Sequence, residues 1–142
     1  MALLDAISAR DIAASGLKTQ RICMNVIANN IANAQTTRTP DGRGAFRRQV
    51  AIVRGEALKQ TVDPSKYGVK VKRVAQDPSP LRMVYDPTHP DANAEGMVAY
   101  PNVDVAMEMV DMVVAQRAYD ANIAVLQSDR SMTAKTLDLL AT

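Results

Sequence analysis

The side chains that could do covalent or metal chemistry are few. His89 is the single histidine and Cys23 the single cysteine, and they stand far apart in the chain. A zinc centre needs three or four His, Cys or carboxylate ligands at suitable spacing. A Ser-His-Asp set can be named from Ser79, His89 and Asp91, but these stand among Pro78, Pro80, Pro87 and Pro90. Such turns give no reason for the fixed hydrogen-bond geometry a triad requires. No glycine-rich phosphate loop is present. Cys23 lies between Ile22 and Met24 inside a helical pattern, where a thiol behaves as a small packed hydrophobe. No catalytic residue, cofactor or metal is therefore expected.

The more telling chemistry is that of amides. Asn25, Asn29, Asn30 and Asn33 fall within the run NVIANNIAN. Asn costs a helix ~0.6 kcal/mol against Ala, so four together work against the helix that carries them. Asn25, Asn29 and Asn33 are four apart and share one stripe, with Asn30 beside it. A row of groups that both donate and accept suits bonding to a neighbouring helix. It also fixes register, because a buried amide is costly unless paired.

The elements that must position these groups follow from periodicity. From Ala6 to Asn33, Ile7, Ala14, Leu17, Met24, Ile27, Ala28 and Ile31 recur at three- and four-residue steps, which predicts an amphipathic helix with a near-heptad stripe. Gly16 weakens it by ~1 kcal/mol against Ala. The run TTRTPDGRG, residues 36–44, is turn chemistry. The middle alternates with period two at Phe46 to Ile52, Val69 to Val74 and Leu81 to Tyr85, with a short fourth piece at Met97 to Tyr100. From Asn102 onward there is neither Pro nor Gly. Met107, Val110, Val114, Ala118, Ala121 and Val125 form one stripe of a second long helix, capped at Asn102 or Asp104.

The expected fold is α+β: two long terminal helices packed as a coiled coil, with a small β domain inserted between them. The expected boundaries are 1–35 for the first helix, 36–101 for the linker and β domain, and 102–142 for the second helix.

Composition narrows the function classes. With no Trp and one Phe, the chain lacks the large aromatics that usually anchor a globular core, which suits slim helix packing. No apolar run reaches the ~20 residues that span a bilayer. The N-terminus has no basic leader followed by an apolar core and cleavage site, so it does not read as a cleaved secretory signal. Charge is uneven: Arg43 to Arg82 holds ten Lys or Arg against three acids, and Asp86 to Asp129 eight acids against one Arg. The basic stretch has few aromatics and no nucleic-acid motif. Self-association of basic middle with acidic neighbour is the better reading.

Several stretches carry a family resemblance. Gly16-Leu17, Gln20-Arg21, Met24 through Asn33 and Thr36-Thr37 resemble the N-terminal signature of flagellar rod and hook proteins. Tyr85 through Ala92, Gly96, Val98 and Tyr100 through Val103 are similar to the proximal-rod branch of that family. So are Glu108 through Met112 and Arg117 through Asn122. Met97 departs from the aromatic residue expected at its position. The resemblance implies a non-enzymatic subunit of the periplasm-spanning rod in the flagellar basal body. It implies helical assembly with other rod subunits and copies of itself, and passage through the flagellar type III export apparatus, with Leu3, Leu4 and Ile7 near the recognition region. The assembly interface is expected at Leu17, Met24, Asn25, Ile27, Asn29, Asn30, Ile31, Asn33, Val110, Val114, Arg117, Tyr119, Asn122 and Val125. The rival reading is a soluble coiled-coil adaptor that binds a single partner.

Overall fold

The computed structural model describes residues 2–57 and 67–140, with side chains described from residue 9 onward. Leu3, Leu4 and Ile7, expected to serve export recognition, have side chains outside the described residues. In chain order the elements are α1 (Ala2–Ala32), β1 (Gln49–Ala57), β2 (Tyr67–Gln76), β3 (Arg82–Tyr85), β4 (Met97–Tyr100) and α2 (Val105–Leu140). The α+β architecture expected from the sequence is the one observed.

Helix α1 ends where its amides take over. Asn33 donates its side-chain N–H to Asn29 O at 2.9 Å, and Thr36 Oγ1 donates to Asn33 Oδ1 at 3.1 Å. Asn29 O already accepts from Asn33 N at 3.1 Å, and the last open carbonyls are taken by Ala34 N on Ile31 O at 3.3 Å and Thr36 N on Asn33 O at 3.1 Å. Helix α2 is started by Asp104, whose Oδ1 accepts from Ala106 N at 2.9 Å and Met107 N at 3.3 Å. That is N-cap geometry. Asn102, the other candidate cap, accepts instead from Arg48 N at 2.9 Å and donates to Ser79 O at 3.1 Å. It ties the strand region to the start of α2.

The strands form two separate antiparallel pairs, β1 with β2 and β3 with β4. The first expected strand begins three residues late. Phe46 N bonds Thr36 O at 3.0 Å and Arg48 N bonds Asn102, so these backbone groups are spoken for before the ladder opens at Gln49. A bulge lies between Ile52 and Val53. Among the described residues of the strand and loop region few are buried: Ala34, Ala45, Phe46, Gly68, Val98 and Pro101. The β1–β2 hairpin lies across α1, where Ser15 and Thr19 hydroxyls bond the backbone of Val69.

The helices run antiparallel along each other. Asn30 meets Glu108 at one point, and Gly16 meets Asn122 further along. The seam departs from the apolar stripes expected of each helix. On α1 the buried line runs through Ala13, Gly16, Thr19, Val26 and Asn30, offset from the expected stripe, whose Ala14 and Ala28 are exposed. On α2 the buried residues are Glu108, Ala115 and Asp129, whereas Met107, Val110, Val114 and Val125 of the expected stripe are exposed. Helix α2 has two apolar faces, and periodicity cannot choose between them. Close approach chooses: a Cβ at Gly16 would stand 2.7 Å from Asn122 Oδ1, and the facing residues are small or polar.

Candidate assembly interface

A polar cluster sets the angle between the helices and the hairpin. Glu108 is completely buried. Its Oε1 accepts from Arg48 Nε at 2.6 Å and its Oε2 from Asn30 Nδ2 at 3.0 Å. Asn30 also donates to Gln49 O at 2.9 Å and accepts from Gln49 N at 2.8 Å. Arg48 reaches Asp111 at 3.4 Å and Asp77 at 3.8 Å. One buried carboxylate thus joins α2 to α1 and to Arg48, the residue that leads into β1, and among the described residues no buried side-chain polar atom is left unpaired. A satisfied buried network specifies one arrangement more strongly than it stabilises it. Asp77 is held below the ordinary carboxylate range chiefly by the Ser79 hydroxyl, and further by the Ser79 N–H and the Arg48 and Arg47 charges.

The Asn row is divided by this geometry. The expectation was a stripe of Asn25, Asn29 and Asn33 bonding a neighbouring helix. Within the chain it is Asn30, beside that stripe, which bonds α2. Asn29 donates to the Gln49 side chain at 3.1 Å, Asn33 turns back on its own helix, and Asn25 is exposed. The physical reason is local: Asn33 lies at the helix end, where its amide folds back on Asn29 O and Asn29 Oδ1, each at 2.9 Å.

Most other expected interface residues lie away from the seam. Leu17, Met24, Ile27 and Ile31 are partly covered on α1, and Tyr119 and Asn122 partly covered on α2. Val110, Val114 and Val125 are 56%, 61% and 47% exposed, and Arg117 is exposed among them. Met109 and Val113, outside the expected set, are exposed beside them. At ~100° per residue the exposed apolar positions from Met107 to Val125 cover roughly 160° of α2, on the side opposite Glu108 and Ala115. Between α1, β1 and α2 opens a cleft of about 250 Å³ lined in part by Cys23, Ile27, Val50 and Val114. Burial raises the Cys23 thiol above its ordinary value, the opposite of what a reactive cysteine needs.

The acidic stretch is largely used inside the chain. Asp86 caps a turn with Thr88, Asp91 meets Thr37 and Arg38, Asp104 caps α2, and Glu108 and Asp111 meet Arg48. The expected match of basic middle and acidic neighbour is therefore met first within one chain, at Arg48. Among the described residues no group of three or more His, Cys, Asp or Glu could hold a metal ion. Among them, too, no helix is long and apolar enough to cross a membrane.

A chain with helical ends, a small buried core and a broad uncovered apolar band belongs to the class of subunits that complete their packing against neighbours. Two family models agree at its two ends: flagella basal body rod protein matches residues 11–38, and flagellar basal body rod FlgEFG protein C-terminal matches residues 94–139. The chain is 42% identical to the flagellar basal-body rod protein FlgC of Borreliella burgdorferi, covering 94% of this chain and 96% of that one. It is 43% identical to FlgC of Salmonella typhimurium, covering 91% and 93% respectively, and 38% identical to FlgC of Bacillus subtilis, covering 91% and 94%. The chain belongs to the FlgC family of flagellar basal-body rod proteins and is a structural rod subunit.

Proposed function

We propose that the chain builds the proximal rod by helical polymerisation through its terminal helices, which form the wall of the drive shaft and export channel. Its partners are copies of itself and other rod subunits. It reaches the periplasm-spanning rod through the flagellar export apparatus and acts there without enzymatic activity.

The observation that carries this reading is the outer face of α2. Val110 and Val114 are more than half exposed and lie outside the buried line of Glu108, Ala115 and Asp129, with Val114 at the rim of the α1–β1–α2 cleft. Uncovered apolar surface of this breadth costs ~25 cal/mol for each Å² left in water, and contiguous patches mark interaction sites. An adaptor with one partner helix needs only the narrow two-in-seven seam of a coiled coil. A polymer subunit needs a wider band, because neighbours approach from several directions. The partly covered Leu17, Met24, Ile27 and Ile31 and the Asn25–Asn29 surface of α1 supply the complementary contacts, with amides fixing register.

The test is Val110→Glu combined with Val114→Glu. The isolated subunit should keep its circular dichroism, since both side chains are more than half exposed, and motility should be lost with the rod unassembled. Normal swimming by the double mutant overturns the assignment of this face. Sedimentation of the parent separates the rival: one sharp stoichiometric complex supports an adaptor, and concentration-dependent higher species support the subunit.

A further inference from the structure

The outer edge of the β1–β2 hairpin is left open by the fold. Edge β2 is engaged by α1 at Val69, where Val69 N donates to Ser15 Oγ and Thr19 Oγ1 donates to Val69 O, both at 3.1 Å. Edge β1 is closed only at its start, where Gln49 exchanges two bonds with Asn30. Helix α1 thus crosses beneath the hairpin from one edge to the other. Directly opposed residues of an antiparallel ladder turn their backbone groups in the same sense, inward or outward. Val69 is turned outward and opposes Gly55, so Gly55 is turned outward as well, with Val53 and Ala57 two residues to either side. Among the described residues no hydrogen bond engages that stretch of edge, and Val53 is 46% exposed.

Two features inside Val53–Ala57 have no use within the chain. Gly55 has no left-handed φ, and a Cβ there would meet only Gly68 O at 3.9 Å. A glycine in a strand interior often marks the close approach of another backbone. Arg54 directly opposes Lys70, a like-charge pairing that weakens a ladder. Lys70 is relieved by Glu56 at 3.3 Å, but among the described residues Arg54 has no acidic partner.

We propose that a second copy of this chain docks on this edge through its own β1, antiparallel and two-fold about Gly55. In that register Gly55 exchanges both backbone bonds with its counterpart, and Val53 lies across from Ala57 of the second copy. Arg54 lies across from Glu56 of the second copy, and Glu56 across from its Arg54. These are non-hydrogen-bonded positions, where side chains approach most closely. The five-residue run VRGEA is thus charge-complementary to itself when reversed. A two-fold contact closes on itself and makes a dimer, not a filament. It therefore belongs to the unassembled subunit, where it covers an edge that would otherwise invite aggregation. The inference stands whether or not the helix faces polymerise as proposed above.

The test uses the full chain carrying Val110→Glu and Val114→Glu, so that the helix band stays out of the measurement. Sedimentation should show a weak, concentration-dependent monomer–dimer equilibrium, as a strand contact of this size requires. Arg54→Glu should weaken dimerisation about ten-fold, Glu56→Arg likewise, and the two together should restore it. With Cys23→Ser in both, mixing Arg54→Cys chains with Glu56→Cys chains should give the mixed disulfide in preference to either symmetric one. A monomer at all concentrations, a charge swap that fails to restore dimers, or symmetric and mixed disulfides in equal yield would each overturn the proposal.

Discussion

Removing the Glu108 carboxylate should loosen the whole subunit, because one buried group holds three elements together. Glu108→Ala leaves Arg48 without its 2.6 Å partner and Asn30 without one acceptor. Breaking a buried ion pair by deleting one member costs ~3–5 kcal/mol when the survivor is stranded. Arg48 is not stranded: its side chain is 27% exposed and keeps Asp111 and Asp77. Asn30 likewise keeps its two bonds to Gln49. The expected cost is therefore about 2–3 kcal/mol, below the range for a stranded charge. Glu108→Gln is the sharper variant. The site presents two donors, Arg48 Nε–H and Asn30 Nδ2–H, and a glutamine offers one oxygen and one NH₂. One donor must then face another, at a cost of about 1–2 kcal/mol despite near-identical shape. Denaturant unfolding of the purified subunit measures both, and pairing Glu108→Ala with Asn30→Ala in a double-mutant cycle should return a coupling of about 1 kcal/mol. A Glu108→Gln variant as stable as the parent, with no coupling to Asn30, would refute the claim that this network sets the packing.

Three further outcomes test other parts of the structure. Gly16→Ala should fail to stabilise the parent, because the new Cβ meets the Asn122 amide at 2.7 Å; in an Asn122→Ala background the same change should recover the full helix-propensity gain of about 1 kcal/mol by thermal melting. Asn30→Ala should destabilise the isolated subunit by about 2 kcal/mol, whereas Asn29→Ala with Asn33→Ala should raise helicity by circular dichroism yet impair motility if the exposed amides set register in the rod; raised helicity with normal swimming would leave those two as solvated residues. Asp77 and Asp86 have depressed pKa values, each held first by the hydroxyl two residues on, in Ser79 and Thr88. Their contribution to stability is accordingly present above the unfolded carboxylate pKa and lost as pH falls through the folded one. NMR titration should place both below an ordinary aspartate, and Ser79→Ala should move Asp77 upward and leave Asp86 in place.

The sequence by itself determined the element types, the strand positions within a few residues and the two long helices. Each of these rests on local information: a 3.6- or 2-residue period, prolines confined to the middle, turn chemistry at residues 36–44 and a cap at Asn102 or Asp104. It also determined the family, through Met24 to Asn33 and Tyr85 to Val103. What it left open was which face of each helix turns inward. An apolar stripe identifies a surface that avoids water, and α2 carries two such surfaces, one closed by α1 and one left outside. The choice depended on partners distant in the chain. Gly16 permits close approach only at Asn122. Glu108 is tolerable in the seam only because Arg48 and Asn30 arrive from other elements. Such a residue looks in one dimension like a solvent-facing charge, and no local pattern separates it from Asp120. The tertiary structure alone decided that Asn30 and not the neighbouring Asn row reaches α2, because a one-residue offset is a turn of ~100° about a helix. That rotation separates a buried network from an exposed stripe.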